Sequence, residues 1–187
     1  MKKMSYKMTI AGLERELPLC ELNDDLFIAA FVILGDPELT EAAARELLAK
    51  APEYDYLITA ESKGIPLIHE MARQKGDKSY FLARKSPKLY MTGVFCTDVD
   101  SITTAGTQKL YMDTKDADMI RGKRILIVDD VISTGNSLAA IKCLVEAAGG
   151  TIVGSMAILV EGDAIKQKNL IYLEKLPLFK PDGTPFW

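Results

Sequence analysis

The sequence predicts an α/β fold in which a central, mostly parallel sheet is flanked by helices. Short runs of β-branched and aromatic residues alternate with stretches of helical periodicity, and prolines and glycines separate them. The length of 187 residues fits one domain, so we expect residues 1–187 to fold as one unit with a core over about 40–160. The two ends, about 1–35 and 161–187, are expected to lie outside that core.

The first core elements are predicted to be a helix, a strand, a second helix and a second strand. Thr40 is a candidate N-cap for a helix that runs to about Ala51. Tyr54 to Ala60 has the composition of a strand, and Ile65 to Lys75 has apolar residues at helical spacing before a glycine. Ser79 to Arg84 is predicted to be the next strand, which completes a βαβ unit.

The middle of the chain has a weaker pattern than the region that follows it. Thr92 to Val99 and Lys109 to Asp113 are candidate strands, and the small polar segment Ser101 to Thr107 between them is predicted to be a mobile loop. Arg124 to Val128 is a continuous apolar strand. Ser137 to Ala148 has the spacing of a helix, with two glycines as its stop.

The last part of the chain changes character after one more strand. Thr151 to Val160 is predicted to be a buried strand of the sheet. Glu161 to Trp187 contains three scattered prolines, so we predict that it is too irregular for a sheet element and folds as a flap over one end.

Composition excludes several functional classes. A net charge of −3 gives no basic excess for nucleic acid or anionic membranes. The longest apolar stretch, Leu26 to Leu34, falls short of the ~20 residues of a membrane span, and the N-terminus lacks the apolar core of a signal peptide. We therefore expect a cytoplasmic protein with neither nucleic acid nor membrane as a partner. Cys20, Cys96 and Cys143 are too scattered for a disulfide framework or zinc site and are expected to be buried thiols.

A strand that leads into two acids and a hydroxyl-rich turn is the candidate binding site. The apolar run Ile125 to Val128 is followed directly by Asp129 and Asp130. In open α/β sheets ligands bind at the carboxyl ends of strands, where the next helix presents unpaired N–H groups and a positive dipole end. A phosphate monoester fits such a cradle, because glycine permits close approach and hydroxyls add hydrogen bonds. The candidate phosphate-binding residues are Ser133, Thr134, Gly135, Asn136 and Ser137.

Asp129 and Asp130 would repel a phosphate unless they face another group. Sugar hydroxyls donate hydrogen bonds to carboxylates, and a Mg²⁺ ion can be held nearby through water. The segment therefore predicts a ribose 5-phosphate site. A nucleotide P-loop fits less well, because it needs a lysine where this chain has Asn136. A receiver domain has paired acids but no use for the hydroxyl-rich loop, and a plain strand end with solvated acids is the bland alternative.

The run Ile125 to Ser137 resembles the signature with which type I phosphoribosyltransferases bind phosphoribosyl pyrophosphate (PRPP). Most of the chain is similar to the adenine and xanthine branch of that family, since Thr59 to Gly64, Ala83 to Lys85 and Thr97 to Thr107 follow in family order. The resemblance implies the type I fold with a small hood from the chain termini and a flexible catalytic loop. It also implies Mg²⁺ as cofactor, PRPP and a purine base as substrates, and a homodimer.

The resemblance also implies roles for individual residues. The expected catalytic residues are Asp129 and Asp130, which face the ribose, and Arg84 and Lys85, which meet the leaving pyrophosphate. The loop Asp98 to Thr107 is expected to close over the substrate and exclude water. The expected pyrophosphate loop, often with a non-proline cis peptide in this family, consists of Glu61, Ser62, Lys63 and Gly64.

Two features leave the acceptor base open. Adenine-specific members carry a glutamate in the catalytic loop, whereas this chain has Ile102 to Gly106 there, so the proton acceptor is unassigned. The candidate base-binding residues are Glu161 and Val131. Enzymes for 6-oxopurines generally place a lysine near Glu161, and an acid there suits the exocyclic amine of adenine instead. Whether Lys88 and Trp187 contribute to the site also stays open.

We therefore expect a purine salvage enzyme that transfers the 5-phosphoribosyl group of PRPP to a free purine base, with adenine favoured. The products are the nucleoside monophosphate and pyrophosphate. The first alternative is the same chemistry on xanthine, hypoxanthine or another base. The second is a PRPP-sensing regulator without catalytic activity.

Overall fold

The computed structural model describes residues 4–96 and 109–187. Within these residues the chain forms twelve strands, four α-helices and one 3-10 helix. In chain order they are β1 Ser5–Ile10, β2 Leu13–Asn23, β3 Leu26–Ala29, α1 Pro37–Lys50, β4 Tyr56–Ala60, α2 Ile65–Lys75, β5 Phe81–Ala83, β6 Val94–Cys96, β7 Tyr111–Asp113, α3 Thr114–Ile120, β8 Arg124–Ile132, α4 Asn136–Ala147, β9 Thr151–Glu161, the 3-10 helix Gly162–Lys166, β10 Leu170–Leu176, β11 Leu178–Phe179 and β12 Pro185–Phe186.

The central sheet has five parallel strands in the order β10-β9-β8-β4-β5, with helices on both faces. Alternate residues of β8 point to opposite faces, as the pleat of a strand requires. Leu126 and Val128 pack in the cluster that contains α1 and α2, whereas Ile125 and Ile127 pack in the cluster that contains α3 and α4. Since both faces are covered, the strand is apolar without interruption. The predicted α/β class is confirmed.

The hood is a second sheet, built from the chain termini, with the strand order β1-β2-β3-β11-β12. A two-residue turn joins β1 to β2, and both of its residues, Ala11 and Gly12, have positive φ angles of 49° and 78°. Such turns match the twist of an antiparallel pair. Arg15 of β2 lies 2.6 Å from the carboxylate of Asp36, so an ion pair links the hood to the start of α1.

The start of α1 differs from the prediction. Asp36, not Thr40, is the N-cap, and its carboxylate accepts a hydrogen bond from the Leu39 N–H at 3.1 Å. Pro37 occupies the first turn, where its missing N–H costs nothing. Thr40 lies buried one turn inside the helix and donates its hydroxyl to the Asp36 carbonyl at 2.7 Å.

The prediction that Glu161 to Trp187 contains no sheet element is wrong. Leu170–Leu176 is the edge strand of the central sheet and runs parallel to β9, while β11 and β12 complete the hood. The prolines do not disturb these strands, because Pro177 lies between β10 and β11 and Pro185 lies on the terminal strand of its sheet. A parallel edge strand needs only a short apolar run, which three nearby prolines concealed.

Several smaller expectations also meet corrections. The helix α3 was not predicted, and β8 continues beyond Val128 to Ile132. The thiols are not buried: Cys20 and Cys143 are exposed, and Cys96 is half-buried. Among the described helices, none has both the length and the hydrophobicity needed to cross a bilayer.

Candidate functional site

The carboxyl ends of β4, β5, β8 and β9 meet at one edge of the sheet and bring the predicted site residues together. Parallel pairing aligns Ile58 with Ile127 and Asp129 with Ala157, so the chain segments that leave these strands emerge side by side. Asp129 and Asp130 are part of β8 itself, not of a loop after it. Backbone hydrogen bonds of the sheet therefore fix the positions of both acids.

Asp130 is a buried acid that pairs with a cation from the connection between β4 and α2. Its side chain is 4% exposed, and the ammonium of Lys63 lies 2.8 Å from Oδ2. That ammonium lacks the alignment of a hydrogen bond, so within the described residues Oδ2 has no hydrogen-bond partner. Buried acceptors without a hydrogen bond are rare in folded proteins, and this one lies near the carboxyl end of β8, beside the other acids.

Asp129 is held differently from its neighbour. Its Oδ1 accepts a hydrogen bond from the Asp130 N–H at 2.9 Å. Burial, together with the negative charge of Asp130, raises the pKa of Asp129 from 3.8 to about 7. Near neutral pH, the carboxyl group of Asp129 is therefore protonated in part of the molecules.

Glu161 is a third acid at this edge, at the last position of β9. Burial raises its pKa, the positive charge of Lys63 partly offsets this, and the negative charge of Asp130 adds to it. Lys63 therefore forms an ion pair with Asp130 and also lowers the pKa of Glu161 through its positive charge.

The segment 61–64 joins β4 to α2 and approaches the acids closely. Its peptide bond between Glu61 and Ser62 is cis, as the resemblance implied. At Gly64 a Cβ atom would lie 2.2 Å from Oγ1 of Thr59 and 3.1 Å from Oδ1 of Asp129. Thr59 is completely buried, so its hydroxyl cannot move aside into solvent. Only glycine fits here, and it lets the backbone pass directly beside Asp129.

Glu61 gathers the basic residues that follow β5. Its Oε1 lies 3.3 Å from the guanidinium of Arg84 and 3.4 Å from the ammonium of Lys88, while Oε2 accepts a hydrogen bond from the Lys85 N–H at 3.0 Å. The Lys85 hydrogen bond and the positive charges of Lys88 and Arg84 lower the pKa of Glu61. Lys88, whose role the sequence left open, therefore lies beside the segment 61–64.

The turn 133–137 forms the start of α4. Gly135 is the N-cap residue with φ +81° and has no side chain to cap the helix. The Asn136 N–H donates a hydrogen bond to Thr134 Oγ1 at 3.5 Å, and the N–H groups that follow it in the first turn can donate to an anion. A small cavity of about 50 Å³ lies over this turn. It is lined by Asp129, Val131, Ile132, Ser133, Thr134, Gly135, Asn136, Ser137 and Leu138.

The structure thus brings the predicted phosphate-binding residues to one cavity, with Asp129 and Val131 on its wall. The predicted catalytic loop Asp98 to Thr107 lies outside the described residues. Trp187 is 74% exposed at the end of the hood. The sequence placed Thr59 at the start of the run 59–64 without giving it a role, because its contact with Gly64 crosses the turn and leaves no local signal.

Comparisons with known proteins agree with this geometry. The family model described as the phosphoribosyl transferase domain matches residues 34–174. The adenine phosphoribosyltransferase of Fervidobacterium nodosum is 29% identical over 178 residues, which cover 93% of this chain and 98% of that protein. The hypoxanthine/guanine phosphoribosyltransferase of Methanococcus voltae is 30% identical over 147 residues, which cover 78% of this chain and 74% of that protein.

A solved structure is similar over most of the chain. The crystal structure of adenine phosphoribosyltransferase from Thermoanaerobacter pseudethanolicus superposes with a TM-score of 0.61 at 26% sequence identity. The match covers 76% of this chain and 84% of that chain.

Proposed function

The chain belongs to the phosphoribosyl transferase domain family and is a phosphoribosyltransferase, and we propose that it transfers the 5-phosphoribosyl group of PRPP to adenine. The products are the nucleoside monophosphate and pyrophosphate, so the enzyme serves purine salvage. The observation that carries the proposal is the pair of acids at the end of β8, half-buried Asp129 and buried Asp130, beside the anion-accepting turn 133–137. A sugar phosphate offers both the hydroxyl donors and the anion that this combination suits.

In this proposal the two acids bind the ribose hydroxyls. Asp130 Oδ2 is buried with an ion-pair partner but without a hydrogen bond, and a hydroxyl of the sugar supplies that hydrogen bond. Asp129, whose pKa is raised to about 7, gains donors that favour its ionised form. The 5′-phosphate lies on the free N–H groups and hydroxyls of residues 133–137, and Gly135 allows its close approach.

The pyrophosphate of PRPP is proposed to lie against the segment Glu61, Ser62, Lys63 and Gly64. Arg84 and Lys88 are held beside this segment by Glu61, and Lys85 follows directly. Negative charge concentrates on the pyrophosphate as it leaves the sugar. Cations placed there before the reaction stabilise the transition state more than the ground state, which accelerates the transfer.

Mg²⁺ belongs to the proposal as a cofactor that arrives with PRPP. Within residues 4–96 and 109–187, no three acidic, histidine or cysteine side chains gather into a metal cage. Mg²⁺ commonly binds through one or two carboxylates, waters and substrate phosphates, and Asp129 and Asp130 fit that role. Bound Mg²⁺ would neutralise charge on the leaving pyrophosphate.

Adenine is the favoured base because of Glu161 and Val131. Glu161 ends β9 beside Lys63 and accepts a hydrogen bond from the exocyclic amine of adenine. Val131 is half-buried on the cavity wall and offers an apolar surface for the purine ring. Each of these roles can be tested independently of the phosphate sites.

A second candidate is the same transfer to a 6-oxopurine. One relative of this chain carries the name hypoxanthine/guanine phosphoribosyltransferase. In this chain the ammonium of Lys63 lies close enough to influence the pKa of Glu161, so it is available as a donor to a ring oxygen. The choice of base therefore depends on whether Glu161 or Lys63 faces the purine ring.

A homodimer, one folding unit and a cytoplasmic location complete the proposal. The stretch that follows Arg84 and Lys85 exposes three large apolar side chains, those of Leu89, Tyr90 and Val94. Exposed apolar residues of this kind are expected where a second subunit covers the surface. The folding unit comprises a core over about 40–160 and a hood from the termini. The edge strand β10 comes from the C-terminal segment but belongs to the central sheet. The molar mass in solution, measured by sedimentation equilibrium, tests the dimer.

A panel of free bases tests the function. The protein is mixed with PRPP, Mg²⁺ and one base at a time, and pyrophosphate release is measured with and without excess chelator. We expect turnover with adenine that the chelator abolishes. Turnover with hypoxanthine, guanine or xanthine alone would establish the second candidate. PRPP binding without turnover on any base would contradict both candidates and favour a regulator.

A further inference from the structure

Gln167 is placed beside the turn 133–137 by a short segment that the proposed function does not use. The 3-10 helix Gly162–Lys166 follows β9, and its residue Ala164 is completely buried. The Ala164 N–H donates a hydrogen bond to the Ser133 carbonyl at 3.1 Å, and the Gln167 N–H donates to the Ala164 carbonyl at 3.1 Å. The backbone of residue 167 is therefore tied to the first residue of the turn.

The side chain of Gln167 reaches the centre of that turn. Its Nε2 lies 2.8 Å from the position that a Cβ atom on Gly135 would occupy, so the carboxamide is in contact with Gly135. Within the described residues the Gln167 side chain has no hydrogen-bond partner, and residue 167 is exposed. An N–H donor therefore lies at the rim of the anion-accepting turn with its hydrogens uncommitted.

The neighbouring charged residues do not take this position. Lys166 pairs with Asp163 at 3.0 Å, and both side chains are more than four-fifths exposed. A neutral amide also suits this site, because a cation would be attracted to the acids Asp129 and Asp130 instead of a phosphate. Gln167 can donate to an anion without forming an ion pair with either acid.

We propose that the Gln167 carboxamide is an additional ligand of the 5′-phosphate, which closes the open side of the turn 133–137. This inference rests on the proposed function, since it requires a sugar phosphate in that turn. It also gives a second reason for a glycine at position 135. Besides the positive φ angle, a side chain there would displace the Gln167 amide. Gln167 acts in binding and touches none of the bonds that form or break.

Calorimetric titration with two separate probes tests the proposal. Ribose 5-phosphate reports on the turn 133–137, and inorganic pyrophosphate reports on the segment 61–64. The variants are Gln167→Ala, Gln167→Glu and the matched control Lys168→Ala at the next exposed position. Loss of one hydrogen bond to a charged group is expected to weaken ribose 5-phosphate binding by about tenfold in Gln167→Ala. Gln167→Glu should weaken it further, because its carboxylate repels the phosphate.

The two probes separate a ligand from a merely structural residue. Pyrophosphate binding should change by less than about twofold in either variant, and Lys168→Ala should match the wild type with both probes. In turnover, Gln167→Ala should raise KM for PRPP with kcat unchanged, as expected for an interaction that is equal in ground state and transition state. Equal ribose 5-phosphate affinity in Gln167→Ala and wild type would overturn the inference, and so would equal weakening of both probes. Wild-type protein that binds neither ribose 5-phosphate nor PRPP would overturn the proposed function itself.

Discussion

The turn 133–137 and the segment 61–64 lie at the same edge of the sheet, but they are built in different ways. The turn is one continuous stretch that offers its own backbone N–H groups and hydroxyls at the start of α4. The segment 61–64 depends on residues from elsewhere: Thr59 and Asp129 crowd Gly64, and Arg84 and Lys88 converge on Glu61. A change in the turn should therefore act locally, whereas a change in the segment should disturb several elements.

The largest effect is expected where the two regions meet, at Asp129 and Asp130. The double variant Asp129→Asn with Asp130→Asn replaces one acceptor oxygen of each proposed ribose ligand with an NH2 donor and removes the counter-ion of Lys63. We expect turnover with PRPP to fall by about 10³-fold or more, because charge-assisted hydrogen bonds to the sugar are lost twice. Steady-state pyrophosphate release measures this, with the exposed Asp163→Asn as control. Unchanged PRPP binding and activity would show that these acids do not face the ribose.

The next largest effect is expected at Gly64. The Cβ of Gly64→Ala would lie 2.2 Å from the buried Thr59 hydroxyl, so the segment or β4 must shift. Because small displacements of a binding group are costly, we expect about a hundredfold loss of pyrophosphate affinity. Adding Thr59→Ala removes the closest atom and should restore part of the affinity. Titration of both variants with pyrophosphate decides this, and an unaffected Gly64→Ala would contradict the tight packing.

A smaller and more local effect is expected at Gly135. Alanine there must adopt φ near +81°, which costs about 1–2 kcal/mol for a residue with a Cβ atom. Among the residues that the structure describes, the close neighbour of that Cβ is the flexible end of Gln167, which can move away. We expect Gly135→Ala to weaken ribose 5-phosphate by about tenfold and to leave pyrophosphate binding intact. Equal losses for both ligands would mean that the turn and the segment are not independent.

The last effect is on stability and not on ligand binding, and it concerns the pH dependence of unfolding. The pKa of Asp129 is about 7 in the folded protein and 3.8 ordinarily, so the folded state holds a proton that the unfolded chain releases. The stability that this proton contributes is complete below about pH 4 and is lost as pH rises to about 7. Asp129→Asn stays neutral, so relative to wild type it should gain about 1–3 kcal/mol between pH 5 and pH 8. Urea unfolding at the two pH values measures the gain, and an identical difference at both would contradict the raised pKa.

The same contrast explains what sequence reasoning reached. The strand at Ile125 to Val128, the two acids and the hydroxyl-rich turn are contiguous, so their pattern predicted the parallel strand and brought attention to the turn over which the cavity lies. The helix Ile65–Lys75 was predicted with its bounds, because apolar spacing and the glycine after it are local signals. These features need no knowledge of distant residues.

The features that escaped prediction depend on tertiary contacts. Leu170–Leu176 becomes a strand because β9 offers it an edge, and Asp36 caps α1 with Arg15 of the hood beside it. Lys88 reaches the site because Glu61, 27 positions earlier in the printed sequence, attracts it. Thr59 lies against Gly64, and Gln167 lies against Gly135. A glycine in the sequence gives no indication of which side chain packs against it.

Simultaneous binding of the two halves of PRPP tests the account most directly. Protein saturated with ribose 5-phosphate in the presence of Mg²⁺ is titrated with pyrophosphate, and the order is then reversed. We predict that one equivalent of each binds at the same time and that PRPP displaces both, because the turn 133–137 and the segment 61–64 hold opposite ends of one substrate. Mutual exclusion of ribose 5-phosphate and pyrophosphate would contradict the account.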